Sequence, residues 1–150
     1  MSGPVNPAHP RLPLHVTDVD AFDLPEWLGT HEIVWRADAT TSTDHVPGML
    51  ADAGGAPLEL PCDLLAADHA HPAPVLADPD RTAVHRQWHL RQVHLGEIGG
   101  RLTLMLPTNE VTAELVVQAL TRLSRAVGGE PVRWLVQLRL GDDTRRGSGR

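Results

Sequence analysis

The chain of 150 residues contains no lysine and no tyrosine, a single phenylalanine and a single cysteine. Each scarcity removes a class of chemistry. Without a lysine amine there is no Schiff-base catalysis and no nucleotide loop of the type that reaches its phosphates with lysine. Cys62 has no second cysteine with which to close an internal disulfide. All thirteen basic side chains are arginine, and isoleucine and asparagine are also sparse. The depleted residues are those with A/T-rich codons, which points to a GC-rich genome. Long apolar runs are missing as well: no stretch approaches the roughly 18 residues of a membrane span. Residues 1–25 lack the basic lead and apolar centre of a secretory signal. A soluble, cytoplasmic protein with no membrane partner is expected. The net charge of −6, with no basic stripe, argues against nucleic acid as a partner. The only arginine cluster, Arg145, Arg146 and Arg150, sits in a Gly/Ser-rich tail. Nine histidines, titrating near a reference pKa of about 6.5, can reverse the sign of the chain in mild acid.

What is present reads as one α+β domain over residues 11–141, between loose tails at 1–10 and 142–150. The stretch 101–106 (RLTLML) alternates, with Leu102, Leu104 and Leu106 on one face, and predicts a strand. Pro107, Thr108 and Asn109 end it and offer an N-cap to a helix over 110–127, whose apolar residues recur at helical spacing. Gly128-Gly129 stops that helix. PVRWLVQLRL (131–140) then places Val132, Trp134, Val136, Leu138 and Leu140 opposite Arg133, Gln137 and Arg139. These parts form a C-terminal β-α-β unit. Upstream, 31–37 is strand-like, Asp23 to Leu28 suggests a short helix carrying Trp27, and 46–64 suggests a hairpin turning at Asp52-Ala53-Gly54-Gly55. A mostly antiparallel sheet with two main helices is expected.

The second helix starts at Asp78-Pro79-Asp80 and leads into VHRQWHLRQVH (84–94), which carries His85, His89 and His94. Helical geometry puts Val84, Trp88 and Leu95 on one face and pairs His85 with His89 one turn apart, while His94 points away. A break before His94, into a hairpin with 101–106, is the other reading. The three histidines are not one site in either geometry. His85 and His89 can chelate a metal, but Arg86 stands where a metalloprotease carries its glutamate. Further ligands would come from His69 and His71, giving a zinc candidate of His69, His71, His85 and His89.

The remaining motifs have plainer readings. Cys62, in the alternating run Leu58-Leu60-Cys62-Leu64, reads as buried and inert. Gly96–Gly100 reads as a turn before a strand, and Asp18-x-Asp20 as a loop or cap. Two functions from different classes follow. The first is a non-catalytic protein-binding or assembly module, self-associating through strand 132–140 with Arg133, Gln137 and Arg139 at the interface, and using no cofactor. The second is a small zinc-dependent, hydrolase-like protein built on the four histidines. A third, an apolar-ligand carrier, would line its pocket with Trp35, Trp88 and Trp134.

Overall fold

The computed structural model describes residues 16–38, 44–68 and 76–137. Along the chain these form β1 (Thr17–Asp18), α1 (Trp27–Thr30), β2 (Ile33–Ala37), β3 (His45–Val46), β4 (Gly48–Asp52), β5 (Glu59–Ala66), α2 (Asp78–His89), β6 (His94–Ile98), β7 (Arg101–Leu106), α3 (Ala113–Ala126) and β8 (Trp134–Gln137). The strands make one mixed sheet in the order β1-β6-β7-β5-β4-β2-β8, with β3 paired to β5 beside that path. The architecture is α+β. β5 with β7 and β2 with β8 are parallel pairs; the other pairings are antiparallel.

The two long helices end in the same hydrogen-bonded motif with different residues. After α3, Gly129 N–H bonds to Ser124 C=O and Gly128 N–H to Arg125 C=O, with Gly128 at φ 81°. After α2, Gln92 N–H bonds to Gln87 C=O and Arg91 N–H to Trp88 C=O, with Arg91 at φ 66°. Both are Schellman ends, which require a left-handed residue just past the cap. Glycine adopts that conformation freely, whereas arginine does so at a cost of roughly 1–2 kcal/mol. Arg91 is the one non-glycine residue with positive φ among the described residues. The helix therefore stops at His89, and the expected common face of Val84, Trp88 and Leu95 does not exist. His94 and Leu95 belong to β6, which turns into β7 through Gly99 (φ 62°) and Gly100 (φ 80°). Two central residues with positive φ are what a tight two-residue hairpin demands.

α3 begins at Ala113, three residues later than its expected start at Glu110. Its N-cap is Thr112, whose hydroxyl accepts from Leu115 N–H, while Thr108 closes a local turn with Glu110. Its buried face, Val116, Ala119, Leu120 and Leu123, packs on the sheet face that carries Ile33, Trp35, Leu50, Cys62, Leu64, Leu102 and Leu104. Burying one such aliphatic side chain stabilises by about 1.5–3 kcal/mol. On the opposite face, Val84 of α2 packs with Leu65 and Met105.

The strand–helix–strand unit holds in chain order, but β5, β4 and β2 stand between β7 and β8, and β8 pairs with β2. Four strand spacings cover about 19 Å, close to the roughly 21 Å length of a fourteen-residue helix such as α3. β8 is also shorter than expected at its start. Pro131–Arg133 is a 3-10 turn, which leaves Val132 86% exposed instead of on the buried face. Proline suits the first position of such a turn, where its fixed φ fits and its missing N–H is not needed, and the strand starts at Trp134. The short helix expected over 23–28 is divided, a 3-10 turn at Ala21–Asp23 preceding α1.

Candidate functional site

β8 pairs with β2 on one side, and among the described residues no strand pairs with its other side. Register puts Leu135 opposite Val34 and Gln137 opposite Arg36, so these side chains share the sheet face away from α3. Leu135 is 58% exposed. Beside it runs a groove of about 440 Å³ with Val34 and Ala51 in its lining and Arg36, Glu59 and Gln137 among its polar groups. The α3 side of the strand is sealed: Trp134 is buried and Val136 half-buried in the main core. Of the interface residues expected from sequence, Gln137 lies on this strand. Arg133 lies in the preceding turn, 3.5 Å from Glu130, and Arg139 lies outside the described residues.

His69 and His71 also lie outside the described residues. His85 and His89 stand one turn apart on α2, both exposed. The structure brings His85 to the segment that precedes His69: its Nε2 is 2.8 Å from Oδ2 of Asp68. Among the described residues no group of three or more histidine, cysteine, aspartate or glutamate side chains is placed to hold a metal.

The most developed polar cluster was not anticipated. Asp63 lies on β5, next to Cys62, and is 4% exposed. It accepts hydrogen bonds from Arg101 Nε (2.9 Å) and Nη2 (3.0 Å) and from Gly48 N–H (3.1 Å). His45 Nε2 stands 3.6 Å away. Arg101 Nη2 also donates to Gly48 C=O and reaches Asp38 at 3.4 Å. Burial alone would raise the pKa of Asp63, but nearby His45 and the hydrogen bonds from Arg101 and Gly48 outweigh it and hold the carboxyl below its ordinary value. Paired so fully, Asp63 ties β5, β7 and β4 together. Simple alternation in 58–64 assigns Asp63 to a solvated face, and only the parallel neighbour β7 reveals its partner.

Cys62 is fully buried, and burial pushes its thiol pKa far up, so it stays a neutral thiol. Asp20 caps the turn after it by accepting from Phe22 N–H. The three tryptophans do not line one pocket. Trp35 is buried and donates to Cys62 C=O, Trp134 is in the core, and Trp88 lies under the guanidinium of Arg122 at 3.5 Å. No described helix is long and apolar enough to cross a membrane. No protein-family model, no curated protein and no solved structure matches the chain.

Proposed function

We propose that the protein is a non-catalytic assembly module that pairs with a second copy of itself through the outer edge of β8. The observation that carries this reading is the half-exposed Leu135 on a strand whose second edge is unpaired among the described residues. An edge of this kind offers a row of backbone donors and acceptors to another strand, and an apolar side chain on it favours a strand over water. A two-fold axis at Leu135 makes the contact self-complementary: Leu135 meets its copy, and Arg133 of one chain faces Gln137 of the other. A heterologous protein strand is the other partner such an edge takes.

A zinc-dependent, hydrolase-like function using His69, His71, His85 and His89 is the second reading. What favours it is the His85–Asp68 hydrogen bond, which draws α2 to the start of the segment carrying His69 and His71. Native mass spectrometry of the wild type and of Leu135→Asp, with and without equimolar zinc, separates the two. A metal-free dimer that Leu135→Asp turns into a monomer supports assembly. A monomer that takes up one zinc per chain, and loses it on His85→Ala, replaces assembly with the metal reading.

A further inference from the structure

Away from β8, the segment 18–23, the end of α2, the start of β6 and the last turns of α3 enclose an open groove of about 900 Å³. One wall carries Asp18, Asp20 and Asp23, the other Arg91, Arg122 and Arg125, with His94 also in the lining. The arginine wall has three features that a merely solvated surface does not need.

The first is charge. Among the described residues no carboxylate lies within ion-pair distance of Arg91, Arg122 or Arg125. The C-terminal ends of α2 and α3 supply roughly half a negative charge each, about one in all against three cations. Burial first, and then the charges of Arg91 and Arg125, lower the pKa of Arg122. The second is preorganisation. Arg122 stacks on Trp88 and spends one nitrogen, Nη1, on the carbonyls of Trp88 (2.7 Å) and Gln92 (3.0 Å). Its Nε and Nη2 make no hydrogen bond among the described residues, so a fixed guanidinium edge is left for an acceptor. The third is strain. Arg91 occupies a left-handed position that glycine fills at the equivalent end of α3, and left-handed side chains concentrate where a ligand is held.

We propose that this groove binds a small anion, a phosphate or carboxylate carried on a scaffold with amine or hydroxyl donors, the anion on Arg91, Arg122 and Arg125 and the donors on Asp18 and Asp23. The acidic wall excludes a bare polyanion and selects a ligand of mixed polarity. His94 stands between the walls, its Nε2 without a hydrogen-bond partner among the described residues and 3.8 Å from Asp18 Oδ1. The inference does not depend on how β8 is used.

Isothermal titration calorimetry with O-phosphoethanolamine, β-alanine, orthophosphate and ethanolamine tests it and tells phosphate from carboxylate. The ammonium-bearing anion that fits binds at least about tenfold more tightly than orthophosphate, and ethanolamine does not bind. Arg91→Gln/Arg125→Gln, both exposed positions, weakens that binding by about tenfold per arginine while the melting temperature holds. Asp18→Asn removes the advantage over orthophosphate. Should the double variant prove unstable, Arg91→Gly serves in its place, because it relieves the backbone and still removes a charge. Its expected signature is a higher melting temperature with weaker binding. Unchanged affinity in these arginine variants, or no saturation by any of the anions, overturns the proposal.

Discussion

The sheet has two unlike halves. β5, β7 and β6 are covered on both faces, by α3 and by α2, and end at β1, which is two residues long and carries the exposed Asp18. β4, β2 and β8 are covered by α3 on one face, and no described helix lies on the other. Short, charged edges such as β1 are how sheets avoid unwanted pairing. β8 carries Leu135 in place of a charge. Apolar side chains of the inner half are buried on both faces, whereas the outer half ends at β8 with Leu135 58% exposed.

Substitutions in the two halves are expected to separate stability from association. Leu104→Ala, at a fully buried position of β7, is expected to cost about 3–4 kcal/mol in chemical denaturation, through lost burial and the cavity left behind. A cost below about 1 kcal/mol would show that the inner half is not the core. Asp63→Asn is expected to cost about 2–3 kcal/mol, because it leaves the partly buried Arg101 without its carboxylate. It also changes the pH dependence. The folded state lowers the pKa of Asp63, so its contribution is present above the unfolded value of about 3.9 and is lost as pH falls through the lower folded value. The wild type should therefore lose more stability than Asp63→Asn between about pH 4 and pH 2. Equal acid slopes would deny the ion pair that role.

Arg91→Gly is expected to raise stability by about 1 kcal/mol, since glycine accepts φ 66° without strain. Leu135→Asp, on the outer edge, is expected to change monomer stability by no more than about 0.5 kcal/mol. A large loss there would mean that the exposed strand belongs to the core after all.

How far the sequence discloses this arrangement depends on where the information is local. β7, α3 and the Gly128 stop are legible because alternation, 3.6-residue spacing and a left-handed glycine are written in consecutive residues. The hairpin at Asp52–Gly55 is legible for the same reason. The end of α2 is not, since Leu90-Arg91-Gln92 contains no breaker and an arginine takes the place of the usual glycine. β6 is therefore legible only as one of two readings, a break before His94 into a hairpin with 101–106, and the turn at Gly99-Gly100 is its local hint. Sheet order is not local either: nothing in 131–140 says that β8 will lie against β2 and not β7. Asp63 shows the same limit in the site residues. Its place in an alternating run says solvent, and its burial follows from Arg101, which is distant in the chain.

Hydrogen exchange of the β8 amides, followed as protein concentration is raised, tests the division of the sheet most directly. Pairing with a second copy predicts that amides in 134–137 directed away from β2 become slower to exchange as concentration rises, and that Leu135→Asp abolishes the change. Fast exchange at those amides at every concentration, with the protein monomeric throughout, would contradict assembly through β8.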